Sequence, residues 1–300
     1  MKHVDIKGII VPICTPFNAD ETVNHEVLKQ EGERMIANGI HGIFCFGTNG
    51  EGYILNGKEK REILETMVKS VNHRVPVYAG TGCVSTAETI EQSLMAKEVG
   101  ADVLSIITPS FAKASQDELY EHYAAVAKAV DMPILLYNIP ARTGNALEPA
   151  TVERLLEFEN IIGIKDSSGV WDNILAYLEV AKKREDFTVL SGNDSLILNC
   201  LKHGGTGAIA GCANVYPRTL SSIYDYFKAG DLENAQKAQD SIVTLRGVFK
   251  YGNPNTVVKK AVNLLGYPVG DCRRPFNGLC EEGVEALKAV LEENKALGMH

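Results

Sequence analysis

Residues 161–169 read IIGIKDSSG, an apolar, β-branched run interrupted by Lys165. An ammonium group on a buried strand needs a partner, a route to water or a lowered proton affinity. By the two-residue period of a strand, Ile161, Gly163 and Lys165 share one face, and Ile162 and Ile164 the other. A strand that is apolar on both faces belongs in a parallel sheet covered by helices.

Working outward, comparable runs recur along the chain. They are GIIVPICTPF (8–17), GIFCFG (42–47), VPVYAG (75–80), ADVLSIITP (101–109), PILLYNIP (133–140), FTVLSG (187–192) and TGAIAG (206–211). With IIGIKD they make eight. Amphipathic segments such as HEVLKQEGERMIAN, KEKREILETMVKSV, ETIEQSLMAKEVG and QDELYEHYAAVAKAV lie between them. Eight βα units of about 30 residues with continuous apolar strands predict an α/β fold, a (β/α)8 TIM barrel, rather than an open doubly wound sheet. After about residue 225 the patterns are helical only, so residues 1–224 are assigned to a catalytic barrel and 225–300 to a C-terminal helical extension.

Composition narrows the function. A 300-residue chain that is 45% hydrophobic can bury a large core, and a net charge of -8 without a basic run disfavours phosphate backbones and anionic membranes. Nucleic acid and membrane are excluded as partners. The N-terminal MKHVDIKGIIVPICTPF is too short and too interrupted to span a bilayer and has no small-residue cleavage site, which reads as a soluble cytoplasmic protein. Seven cysteines without a C-x-x-C pair read as reduced thiols.

Two motifs mislead. GYILNGKE (52–59) has G-x-x-x-x-G-K spacing, but Glu59 stands where a phosphate loop needs Ser or Thr for magnesium. GTGAIA (205–210) fits a dinucleotide pattern but sits in a strand run instead of opening a helix. The histidines lack H-x-x-x-H or H-E-x-x-H spacing and no Asp or Glu cluster has ligand geometry, so neither a metal nor another cofactor is expected, and the absence of a G-x-S-x-G elbow removes the commonest serine hydrolase signature.

In a parallel barrel the chemistry sits where strands end. Lys165 ends the sixth run, Tyr137 the fifth in LLYNIPARTG, and Thr48 and Asn49 follow the second in FCFGTNGEG. Desolvation favours a neutral amine, which attacks carbonyl carbon, so a Schiff base is one reading of Lys165. The other is a strand-end lysine snorkelling to water or paired with Asp194. Tyr137 also reads as a core aromatic with its hydroxyl at the rim, and GTNGEG as a polar turn.

The segments GTNGE (47–51), YNIPARTG (137–144), GIKDSSG (163–169), SGND (191–194) and GGTGAIAGCANVYP (204–217), in this order, resemble the dihydrodipicolinate synthase and N-acetylneuraminate lyase family. The resemblance runs from about residue 6 to the R-P-F at Arg274. It implies a (β/α)8 barrel with a C-terminal helical part, a homo-oligomer (tetramer or dimer), and action on pyruvate or a 2-oxo acid through a lysine imine. By position it implies Lys165 as the imine-forming lysine, Tyr137 as the proton shuttle and Thr48 as the relay hydroxyl. It further implies Asn49 and Gly50 in the turn that holds the carboxylate, Ile209 as a backbone carbonyl contact, and Arg142 as the carboxylate-binding arginine for the second substrate.

Two departures matter. Asn49 stands where the family usually has Thr or Ser. The loop TPSFAKAS has Ser110 and Phe111 where dihydrodipicolinate synthases have T-P-Y-Y, whose second tyrosine completes a relay in a neighbouring subunit. Phenylalanine cannot pass a proton. The reading is therefore a pyruvate-dependent aldolase or lyase acting on a 2-keto-3-deoxy sugar acid or 4-hydroxy-2-oxo acid. The alternatives are 4-hydroxy-tetrahydrodipicolinate synthase using L-aspartate 4-semialdehyde, an imine-dependent dehydratase or deaminase, and a non-catalytic 2-oxo acid binding barrel.

Overall fold

The computed structural model describes residues 4–299; the first three residues of the N-terminal stretch assessed above, and residue 300, lie outside it. The described residues contain strands β1 (Gly8–Pro12), β2 (Gly42–Cys45), β3 (Val77–Gly80), β4 (Val103–Ile107), β5 (Ile134–Asn138), β6 (Ile161–Asp166), β7 (Thr188–Ser191) and β8 (Gly207–Ile209). They follow one another in chain order as a closed barrel, with parallel pairing throughout the recorded registers. This is the (β/α)8 TIM barrel that the spacing predicts. Each strand is shorter than its apolar run, because the flanking residues bend into the turns at either end.

The helices are α1 (His25–Ala37), α2 (Gly57–Val71), α3 (Thr86–Val99), α4 (Gln116–Ala129), α5 (Pro140–Thr143), α6 (Pro149–Leu155), α7 (Trp171–Ala181) and α8 (Ile197–Lys202). Beyond β8 come α9 (Pro217–Lys228), α10 (Leu232–Ser241), α11 (Val243–Gly247), α12 (Pro254–Leu264) and α13 (Glu281–Ala296). Starts follow capping chemistry. Asn24, Asn56, Ser85 and Ser115 each accept a backbone N–H of the first turn, with full capping boxes at α2 and α4. Glu59, the residue that ruled out a phosphate loop, closes the α2 box. None of the described helices is long and apolar enough to cross a membrane.

Compactness groups the chain into two units. Tyr78–Ile209, with residues 4–7, forms one; Gly8–Val77, with residues 210–299, forms the other. The first is dominated by β4, β5, β6 and β7, whose buried residues are mostly Val, Leu and Ile. In the second, β1 is tied to the turn after β8. Ala210 N–H donates to the Ile10 carbonyl (3.0 Å), Cys14 N–H to Asn214 Oδ1 (2.9 Å), and Asn214 Nδ2 to the Pro12 carbonyl (3.0 Å).

A titratable group inside the first unit sets part of its pH response. His122 on α4 is buried; its Nδ1 lies 2.9 Å from Thr86 Oγ1, and its Nε2 has no hydrogen-bond partner. Burial pulls its pKa down to about 4. The unfolded chain takes up this proton below about 6.5, the folded protein only near 4, so stability falls as pH drops through that window. We expect a loss of about 2 kcal/mol between pH 7 and 5 from this group, absent in His122→Leu. Urea unfolding of both proteins at the two pH values checks it; equal slopes would contradict it.

Candidate active site

Lys165 is the fifth residue of β6 and is only 4% exposed. In the sheet register it lies opposite Tyr137 on β5 and Leu190 on β7, while Asp166 lies opposite Asn138 and Ser191. Asp166 and Asn138 turn to the helix side: Asp166 Oδ1 accepts from Asn138 Nδ2 (2.7 Å) and from Asn173 Nδ2 of α7 (2.9 Å). Alternation along the strands therefore points Lys165 and Tyr137 into the barrel. Gly163 lies beneath the lysine, where a Cβ would stand 2.4 Å from Thr188 Oγ1 and 2.6 Å from the Thr188 carbonyl oxygen. The lysine Nζ lies 3.7 Å from the centre of the Tyr137 ring, over its negative face. Tyr137 is 4% exposed.

Gly192, immediately after β7, closes over the lysine stem. A Cβ there would stand 2.8 Å from Lys165 Cε and 1.9 Å from Ser167 Oγ. On the helix side of β6, the Asp166 carboxylate also accepts from Ser168 Oγ at 2.6 Å. Burial pushes the Asp166 carboxyl above the usual carboxylate range, against the downward pull of Ser168, Asn138 and Asn173. Nothing in the pattern GIKDSSG assigns Asp166 this role, since its partners Asn138 and Asn173 lie on other elements. Asp194 lies buried at the start of a short turn after β7.

Arg142 is exposed on α5, the short helix after β5. Ile209 ends β8, buried. Phe111 is fully exposed, with φ +79, on a loop clamped by Asn145. Asn145 Nδ2 donates to the Pro109 (2.9 Å) and Ala112 (2.8 Å) carbonyls, and its Oδ1 accepts from Ala114 N–H (2.9 Å). These bonds brace the loop, which displays a ring without a hydroxyl.

In the other unit, Thr48 and Asn49 are half-buried and Gly50 is buried, in a turn just after β2. The turn doubles back: Glu51 N–H donates to the Thr48 carbonyl (3.2 Å), Gly52 N–H to the Gly47 carbonyl (3.3 Å), and Thr15 Oγ1 to the Gly50 carbonyl (2.6 Å). Only glycine fits at Gly52, where a Cβ would meet the Phe46 carbonyl oxygen at 2.1 Å. The Asn49 amide lies against Gly211, 2.9 Å from where a Cβ would sit. The structure therefore places Lys165 beside Tyr137, and Asn49 beside Gly211. Among the described residues, no group of three His, Cys, Asp or Glu side chains is arranged to hold a metal ion.

A sequence profile described as the dihydrodipicolinate synthetase family matches residues 5–294. The chain belongs to the dihydrodipicolinate synthetase family. It is accordingly an enzyme, a lyase of the Schiff-base-forming class I aldolase type. Among curated members of the family, it is 39% identical over 291 residues to a 4-hydroxy-tetrahydrodipicolinate synthase of Methanopyrus kandleri, covering 96% of each chain. It is 40% identical over 292 residues to one of Geobacter sp. strain M21, covering 97% of this chain and 99% of that one. Among solved family structures, a dihydrodipicolinate synthase superposes with a TM-score of 0.92 at 37% identity, covering 98% and 99%. YagE, a prophage protein of E. coli K12 described as belonging to the dihydrodipicolinic acid synthase family and solved with pyruvate, superposes with a TM-score of 0.92 at 32% identity, covering 96% and 98%.

Proposed function

We propose that this family member is a pyruvate-dependent aldolase or lyase that makes or breaks a carbon–carbon bond to an aldehyde, on substrates of the 2-keto-3-deoxy sugar acid or 4-hydroxy-2-oxo acid kind. The observation that carries the reading is the buried Lys165 amine at the end of β6, against the Tyr137 ring and under Gly192. YagE, solved with pyruvate, supports the choice of 2-oxo acid.

Lys165 Nζ adds to the pyruvate carbonyl carbon, water leaves, and the resulting iminium draws electrons from the adjacent methyl. Loss of a methyl proton gives an enamine, whose carbon attacks the aldehyde; the reverse sequence cleaves the bond. Tyr137 moves the protons, with Thr48 as its relay hydroxyl. The turn holding Asn49 and Gly50 supplies donors for the substrate carboxylate, Ile209 a carbonyl contact, and Arg142 a cation for the second substrate. These roles follow the family resemblance. A homo-oligomeric, cytoplasmic enzyme, with the barrel residues 1–224 carrying the chemistry, belongs to the same reading.

Phe111 bears on the choice of aldehyde. A relay that needs a second phenol lacks one here, which disfavours L-aspartate 4-semialdehyde. A second reading, 4-hydroxy-tetrahydrodipicolinate synthase, is favoured by the names of the curated relatives. Turnover of 2-keto-3-deoxy sugar acids and 4-hydroxy-2-oxo acids to pyruvate, set beside condensation of pyruvate with L-aspartate 4-semialdehyde, separates them. We expect retro-aldol release of pyruvate to exceed the condensation; a cyclised product from the semialdehyde at the higher rate would reverse the assignment.

A further inference from the structure

Resting on the imine reading above, we infer that Glu51 is a positioning residue for the turn 47–50, clamped by Lys259 and Arg273 so that the C-terminal helices set how tightly the enzyme holds its 2-oxo acid. Glu51 has φ +54, left-handed without being glycine, and is fully buried. Such a backbone conformation persists only where the surroundings enforce it. Here its carboxylate does so. Oε1 accepts from Lys259 Nζ of α12 at 2.7 Å, and Oε2 accepts from the Arg273 backbone N–H at 2.9 Å.

The clamp is itself braced. Lys259, 1% exposed, also donates to the Asp271 carbonyl (3.1 Å) and lies 4.1 Å from the centre of the Phe17 ring. The Arg273 guanidinium stacks 4.4 Å from the same ring and pairs with Glu59 of the α2 capping box. Both carboxylate oxygens of Glu51 are thus committed to segments more than 200 residues downstream, and the residue they fix ends the turn containing Thr48, Asn49 and Gly50.

A buried ion pair adds little net stability over an apolar pair of the same volume, because desolvation offsets the attraction. Geometry is the function left for it. Position and charge make opposite predictions for Glu51→Gln. If Glu51 acted only through its charge, removing a negative group near the turn and leaving Lys259 cationic would tighten binding of an anionic 2-oxo acid. As a positioning residue, its loss loosens the turn and weakens that binding, since Gln presents an amide N–H to one of two donors and releases one side of the clamp.

The test is borohydride trapping of pyruvate on the full chain, as a function of pyruvate concentration, for wild type, Glu51→Gln and the double variant Glu51→Leu/Lys259→Met. We expect the half-saturating pyruvate concentration to rise about 10-fold or more in both variants, while the trapping rate at saturating pyruvate stays within about 2-fold, since Lys165 and Tyr137 are unchanged. The double variant, which buries no charge, keeps the test alive if Glu51→Gln fails to fold. An unchanged or lower half-saturating concentration in a folded variant overturns the inference. Absence of any adduct on wild type overturns the imine reading instead.

Discussion

Lys165→Met is expected to lose all borohydride-dependent pyruvate labelling and to lower turnover by on the order of 10⁴-fold or more, with the protein still folded. The nucleophile has no substitute in its row: its register neighbours are Tyr137 on β5 and Leu190 on β7. Methionine keeps an unbranched stem in the slot between the Tyr137 ring and Gly192, so the walls that a shorter side chain would leave unsupported stay filled. The measurement is intact mass and peptide mapping after reduction with pyruvate. Wild type should gain one reduced pyruvate on the peptide containing Lys165. Labelling that persists in Lys165→Met, on any other lysine, would move the imine elsewhere and sink the assignment.

Removing the acceptor behind the lysine should cost the most stability of the changes considered. Asp166→Leu strips three donors of their shared partner: the Asn138 and Asn173 amides and the Ser168 hydroxyl. Asn138 is 1% exposed and cannot recover the bond from water, while Asn173 and Ser168 are half-buried and partly can. With about 1–3 kcal/mol for each buried group left unmet, a loss of about 3–4 kcal/mol is expected. Asp166→Asn should cost less than about 1 kcal/mol, since one oxygen still accepts from the two amides and the new N–H can donate to Ser168 Oγ. Urea midpoints at pH 7 decide between them, and a Leu variant within 1 kcal/mol of wild type would contradict the argument.

The same carboxylate carries a pH signature of its own. Burial raises its folded pKa, so between the unfolded carboxyl pKa and that raised value the native protein holds the proton more tightly. Its contribution is full below the unfolded value and declines as pH rises, opposite in sign to the loss His122 causes as pH falls. Asp166→Asn removes the first trend and His122→Leu the second, so the two variants separate what a single wild-type curve would blend.

Much of this was readable from residue order alone because it is local. Continuous apolar runs at regular spacing place all eight strands, and the two-residue side-chain period within IIGIKD puts Lys165 on the face opposite Ile162 and Ile164. Glu59 was enough to dismiss a phosphate loop, though not to reveal that it caps α2 and grips Arg273. The polar partnerships were hidden for a physical reason. Asp166 meets Asn138 across 28 positions and Glu51 meets Lys259 across 208, separations on which no helical or strand period bears. Gly192 was visible inside SGND, but that its missing Cβ admits the Lys165 stem depends on a contact between two strands.

The span between Glu51 and Lys259 also orders events during synthesis. The stretch Tyr78–Ile209 emerges from the ribosome with its own partners already made, so the strand row bearing Lys165 and Tyr137 can organise early. Gly8–Val77 emerges first, yet the acid that shapes its turn gains its ion-pair partner only when α12 follows, 208 positions later. A nascent chain halted before Lys259 would therefore carry the amine that bonds to the 2-oxo acid without the clamp that shapes the turn proposed to hold its carboxylate.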